Sequence, residues 1–376
     1  MRIFFPLLLF AATLFLPATG LLLRAAVQPL EQARGTSLRS DLVKVRISPA
    51  LPALRLSSAS GFVFVETSNR QPVLGTRITN LLVTVTNGKL VVDGQPLSGE
   101  TLSVESVSNG IGFDGQRYRG GMLVVLERGK LFLVNRVDME SYLKGVLPHE
   151  IDHRWPIEAL KAQAIAARSY AIVRMRENKN KFYDLDNSAY SQVYRGMGGE
   201  KESTSDAVTQ TAGLVLLHNG QTAVGFFHAS CGGRTEASEL VWATRVPYLV
   251  SRISPWCQGS RYYNWGTVLA APEIARLLGI RRPLVSAAVL SVTPSGRVLQ
   301  LRLVDNAGRS HPFSGRDFRT RLGYNRLRSQ LFAVRVRGPY LQILGRGWGH
   351  GVGLCQWCAR GMAAAGRSAL EILAHF

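Results

Sequence analysis

Residues 156–175, PIEALKAQAIAARSYAIVRM, carry almost no wet face. A surface helix shows one apolar stripe, whereas a helix that is apolar and small all round must be buried on most sides. Pro156 suits the first helical position, where its missing N–H costs nothing. Among the interruptions are Lys161, Gln163, Arg168 and Arg174, and a charge inside such a helix is costly unless paired. The fold must therefore wrap other structure around this segment. Just before it stands Glu150, a carboxylate with Leu147, Pro148, Ile151 and Trp155 for sequence neighbours.

A chain of 376 residues can bury a substantial core in one large domain or two. Residues 3–23, behind Arg2, form an uncharged run long enough to span a bilayer. Residues 1–24 therefore read as a signal peptide or membrane anchor, with the length and the following Arg24 favouring the anchor. Either way the rest of the chain is expected to be exported, to the cell wall or periplasm. Residues 25–44 are polar, weakly patterned and linker-like. From 45 to 136 the segments VRISPA, FVFVET, LLVTVT, KLVVDG, GMLVVLE and KLFLVNRV alternate like short strands, with hairpin turns at TNGK and ERGK. Further strands are predicted in LVLLHNGQTAVGFFHA, at 284–293 and at 297–304, and short helices near 272–279 and 314–322. Strands in clusters rather than in βαβ alternation imply an α+β fold. It divides into a strand-rich N-terminal part and a mixed core, 137–376, built around the buried central helix.

The net charge is +20, and residues 271–376 hold 16 arginines, no lysine and four acids. Such a field favours an anionic partner: nucleic acid, a membrane surface or a polyanionic wall polymer. Export argues against nucleic acid. A solvated, arginine-biased face explains the composition equally well.

Several segments together resemble one family. NRVDMESYLKGVLPHEI and PIEALKAQAIAARSYAI resemble the signature of the SpoIID/LytB family. SQVYRG, AVTQTAGLVLLHNG, FFHASCGGRTE, VWATRVPYLVS and GRGWGHGVGLCQW follow in the family's order. The resemblance is specific from about residue 137 onward. It implies an exported peptidoglycan-processing protein: a lytic transglycosylase that cuts glycan strands stripped of stem peptides, or a non-catalytic enhancer of an N-acetylmuramoyl-L-alanine amidase. It places the catalytic carboxylate on Glu150 and implies substrate contacts at Arg168, Tyr170, Gln192, Tyr194 and His350. No cofactor is required for that chemistry.

Most glycosidases need two carboxylates. A lytic transglycosylase can manage with one, because the C6 hydroxyl of N-acetylmuramic acid attacks its own C1 and is already positioned there. One carboxyl group then gives a proton to the leaving oxygen and takes one from the C6 hydroxyl. It must hold its proton near neutral pH, which an apolar setting promotes by disfavouring the charged form.

Competing readings accompany these residues. Glu150 could instead interact with the positive end of the following helix. Arg168 could be a buried ion pair and Tyr170 a core residue, while Trp348 could stack on a sugar ring or pack in the core. The four cysteines, Cys231, Cys257, Cys355 and Cys358, stand in a chain expected in an oxidising compartment. Disulfides, with Cys231 joined to Cys257, are the first expectation. A structural zinc drawing on His228, Cys231 and the CxxC pair is the second, and free buried thiols the third. The family pattern has Ser and Gly where this chain has Cys355 and Cys358.

Overall fold

Alternating apolar and polar side chains build the first half of the chain. Ala53–Ser57 buries every second residue, as does Val43–Arg46, so each strand offers one face to a core. In the computed structural model, which describes residues 26–29, 42–66, 78–106, 110–188 and 191–376, these strands form two six-stranded sheets. One runs in the order Leu185–Asp186, Val43–Arg46, Lys130–Val137, Gly121–Glu127, Thr101–Ser106, Phe62–Glu66; the other is centred on Ala53–Ser57 and Asn80–Thr86. Leu102, Val104 and Leu133 of the first and Leu54, Leu81 and Leu90 of the second share one core. At both predicted hairpins two successive residues have positive φ, Asn87 and Gly88, then Arg128 and Gly129. That backbone twist matches the flanking strands.

The helices are α1 (Met139–Glu150), α2 (Ile157–Glu177), α3 (Glu202–Gln210), α4 (Glu239–Trp242), α5 (Ala271–Leu278), α6 (Gly315–Leu322), α7 (Gln356–Ala364) and α8 (Ala369–His375). The helix α2 is central, as its composition requires, and most of its 21 residues are buried. Its alanines allow close approach. Ala159, Ala162 and Ala166 pack with Met362 of α7 and Ile372 of α8, and a Cβ on Gly225 would stand 2.3 Å from the Ala166 carbonyl oxygen. Pro156 is the N-cap of α2 rather than its first helical residue.

Residues 264–346 form a lobe with its own core around Trp265, Leu301, Phe318 and Ile343. Its base is the antiparallel pairing of Asn264–Ala270 with Tyr340–Arg346. A finger, the turn between Leu284–Val292 and Val298–Asp305, reaches back into the core domain. There Thr293 and Ser295 hydroxyls each donate to Glu236 across 2.6 Å. The buried Arg297 donates to the carbonyls of Cys231 and Arg234, both at 3.1 Å.

The N-terminal run at 1–24 lies outside the described residues, and among the described residues no helix is long and apolar enough to cross a membrane. Part of the stretch expected to be linker is strand. Ala26–Pro29 pairs with Leu214–His218, and Val43–Arg46 pairs with Lys130–Val137. Backbone ladders of four residues leave too short a side-chain pattern to read.

Candidate functional site

Glu150 is the last residue of α1. The segment YLKGVLPHE is helical despite Gly145 and Pro148. Asp138 caps its start by accepting from the Ser141 N–H at 2.9 Å, and Pro148 falls in the final turn, where little helix remains to be broken. A helix C-terminus carries partial negative charge, so this position disfavours an ionised carboxylate. The competing expectation, Glu150 at the positive start of the next helix, is thereby corrected; Glu158 occupies the first turn of α2. Glu150 Oε1 accepts one hydrogen bond, from the Val193 N–H at 2.9 Å. Burial pushes the Glu150 carboxyl pKa above its ordinary value, and the Val193 bond partly opposes that shift.

The neighbours of Val193 explain how its N–H is aimed. Gln192 is fully buried; it accepts from the Tyr142 hydroxyl at 2.9 Å and donates to the Ala167 carbonyl at 3.4 Å. Tyr194 is buried too, its hydroxyl donating to Asn135 Oδ1 at 2.7 Å. Both side chains point inward and leave the residue between them facing Glu150. The expectation of substrate contacts at Gln192 and Tyr194 is thus corrected: they position the segment and have no surface for a ligand. Gly145 makes this possible, since a Cβ there would lie 2.6 Å from the Tyr194 ring.

Arg168 is corrected likewise. It is 0% exposed and grips Glu140 through two bonds, at 3.0 and 2.6 Å, while donating to the Leu214 carbonyl at 3.0 Å. This is the ion-pair alternative, joining α1, α2 and the strand after α3. Tyr170, though 8% exposed, lines the groove described next, stacked under the Arg174 guanidinium at 4.8 Å.

Two clefts meet at Glu150. One, of about 810 Å³, is walled by Tyr170, Arg174, Phe226, Trp242 and His350. The other, of about 570 Å³, is walled by Trp155, Tyr262, Trp357 and Arg360. Glu150, Ala229, Trp348 and Gln356 border both. His350 Nδ1 accepts from the Val352 N–H at 3.0 Å, so Nε2 carries the proton toward the Phe227 carbonyl, also at 3.0 Å. Burial lowers its pKa to about 4, which keeps the ring neutral. The other carboxylates on these walls are engaged: Glu177 pairs with Arg174, and Arg154 holds Asp152 at a pKa of about 2.

Two wall residues, Trp155 and Gln356, were not anticipated as site residues, and a third, Trp348, is expected first as core and second as a sugar-stacking ring. Trp348 lies between the clefts, with its ring edge-on to Tyr262 at 4.5 Å. Its flanking glycines, both at positive φ, were the available signal. Trp155 packs edge-on to Trp357 at 5.0 Å. Gln356 donates to the Glu150 carbonyl at 2.9 Å; its only mark in the sequence was its place between two cysteines.

A family model described as SpoIID, stage II sporulation protein, matches residues 127–218. An uncharacterized protein of Brachyspira hyodysenteriae (strain ATCC 49526 / WA1) is 34% identical over 278 residues, 73% of this chain and 74% of its own. The stage II sporulation protein D of Bacillus subtilis (strain 168) is 31% identical over 258 residues, 65% of this chain and 74% of its own.

The chain belongs to the SpoIID family.

An amidase enhancer of Bacillus subtilis (strain 168) is also similar, 28% identical over 346 residues, 78% of this chain and 48% of its own. The span matched by the SpoIID model contains α1, α2, Glu150 and the Gln192–Tyr194 segment. The cysteines of this SpoIID chain lie beyond it. All four are free and buried, and their sulfurs lie within 4.8 Å of one another. The expected pairing of Cys231 with Cys257 is not formed, their sulfurs being 3.5 Å apart. Nor does His228 join the cluster: its Nδ1 bonds the Val352 carbonyl at 3.1 Å, and Cys257 takes the fourth position expected for it.

Proposed function

We propose that this SpoIID-family chain is an exported lytic transglycosylase of peptidoglycan glycan strands, with Glu150 as both acid and base. The observation that carries the proposal is the setting of Glu150. It is a carboxyl group with a raised pKa and one backbone hydrogen bond, at the junction of two aromatic-walled clefts. A polymer cut in mid-strand needs room on both sides of the scissile bond, and two clefts supply it. Half-exposed Trp155, Trp348 and Trp357 suit the apolar faces of sugar rings. Arg174 and Arg360 lie where anionic groups of the wall polymer would pass.

In this reading Glu150 donates its proton to the leaving glycosidic oxygen as the bond to C1 breaks. The C6 hydroxyl of the same N-acetylmuramic acid attacks C1, and its proton returns to Glu150. The product is a 1,6-anhydro end, and no water is consumed. Neutral His350, fixed by two backbone bonds, shapes the wall rather than moving protons. N-terminal anchoring or secretion belongs to the same proposal.

A second reading, a glycan-binding enhancer of a wall amidase, draws on the similarity to the amidase enhancer over most of this chain. It needs the groove but not the proton on Glu150. Mass spectrometry of fragments released from purified, stem-peptide-free glycan separates the two. Anhydro-muramic ends support the enzyme. Bound but uncut glycan, with stimulation of an added amidase, replaces it with the enhancer.

A further inference from the structure

Four cysteines from three separated stretches converge behind the groove wall. Cys231 follows the short strand Phe227–His228, Cys257 ends the turn Pro255–Cys257, and Cys355 and Cys358 bracket the start of α7. Cys231 Sγ lies 3.5 Å from Cys257 Sγ and 3.6 Å from Cys358 Sγ. No two sulfurs are singled out as a bonded pair. A tetrahedral ion with metal–sulfur bonds of about 2.3 Å spaces its sulfurs by about 3.8 Å, close to these separations.

Burial pushes the Cys355 thiol up, while backbone donors and a buried cation stand around the sulfurs where a metal-bound thiolate would need them. Cys355 Sγ accepts from the N–H groups of Cys231 at 3.2 Å and Cys358 at 3.4 Å, and it caps the positive start of α7. The guanidinium of Arg297, 2% exposed, reaches the Cys231 carbonyl, and its Nε has no hydrogen-bond partner among the described residues. Ser295 Oγ links this guanidinium to Glu236, and a thiolate cluster would add negative charge beside the same buried cation. Soft thiolate ligands in tetrahedral array select zinc over hard cations.

We infer that Cys231, Cys257, Cys355 and Cys358 bind one structural zinc ion that staples the groove wall to α7. Four thiols release four protons as Zn²⁺ enters, giving a tetrathiolate of charge −2 beside Arg297. The staple joins the strand that contributes Phe227 and Ala229 to the cleft with the turn that carries Gln356. Zinc thus fixes the residue that holds the Glu150 carbonyl without touching substrate. This site is independent of whether the protein cuts glycan.

The test is metal content and thiol count on the full-length protein, purified without chelator or reductant. One zinc per chain is expected, with four thiols reacting only when denaturant and chelator are combined. Cobalt substituted for the zinc should give the intense absorption of tetrahedral cobalt–thiolate. His228→Ala should retain one zinc per chain, and Cys257→Ser should lose most of it. Two disulfides without metal would overturn the inference, as would four reactive thiols that take up no zinc when it is supplied. Zinc lost in the His228 variant and retained in the Cys257 variant would overturn the ligand set.

Discussion

Gln356 donates to the backbone carbonyl of Glu150 across 2.9 Å, a bond between residues 206 positions apart. It ties the end of α1 to the start of α7 at the point where the two clefts meet. The Glu150 carboxyl is therefore held from two directions, its main chain by Gln356 and its side chain by the Val193 N–H.

Gln356→Ala should loosen that hold while leaving the fold in place. Loss of one hydrogen bond of about 1.4 kcal/mol corresponds to about a tenfold fall in rate. The expected result is a lower kcat on stripped glycan with little change in KM. A rise in KM alone would make Gln356 a substrate contact instead.

Glu150→Gln should reduce glycan cleavage by about 10²–10⁴-fold, the range of general acid–base catalysis, with glycan retention in a pull-down unchanged. Gln keeps the oxygen that accepts from Val193 but cannot cycle a proton. Full activity in this variant would remove Glu150 from the chemistry.

The same substitution should change stability in a pH-dependent way. The folded Glu150 carboxyl has a raised pKa through burial, so its contribution to stability is present below the unfolded value and lost as pH rises through the folded one. Glu150→Gln is uncharged throughout. Its melting temperature should therefore gain on wild type as pH rises from the carboxylate range to neutrality. A gain that is flat or shrinks with pH would contradict the burial described for this carboxyl.

Arg168 should matter for folding rather than binding. Arg168→Met keeps most of the volume but removes the partner of Glu140, and Glu140→Ala leaves the guanidinium buried and unpaired. Breaking a buried pair costs about 3–5 kcal/mol. Urea denaturation should show the Glu140 variant to be the less stable, because Glu140 is itself partly exposed. Glycan affinity of whatever remains folded should be unchanged.

Gly145→Ala reverses a usual rule. Alanine in a helix normally gains about 0.5–1 kcal/mol over glycine. Here the new methyl would meet the Tyr194 ring at 2.6 Å and the Gly196 carbonyl oxygen at 2.8 Å. The variant should melt at a lower temperature than wild type, by an overpacking cost of about 1–3 kcal/mol.

How much of this was legible follows from the range of each signal. The centrality of α2 and the hairpins at Asn87–Gly88 and Arg128–Gly129 could be read, because they rest on local composition and backbone preference. The helices predicted at 272–279 and 314–322 are found at Ala271–Leu278 and Gly315–Leu322 for the same reason. The helix α1 was missed because Gly145 and Pro148 are helix breakers taken alone; the ring of Tyr194 explains one and the final turn the other. Motif resemblance drew attention to Gln192, Tyr194 and Arg168, but a motif does not say whether a residue touches a ligand or holds the one that does. The zinc alternative passed over Cys257, which carries no spacing motif of its own, and only the folded chain sets it in place of His228.

The lobe is attached to the rest of the molecule by more than its base. A body joined along one pair of strands can swing about that line as a door does about its hinge. The finger that carries Thr293, Ser295 and Arg297 adds a fastening off that line, and a door latched on its far side no longer swings. A force applied anywhere on the arginine-rich lobe is then passed as a push or pull on Glu236 and on the loop bearing Cys231. Whatever the lobe grips in its surroundings, it orients the groove with respect to it.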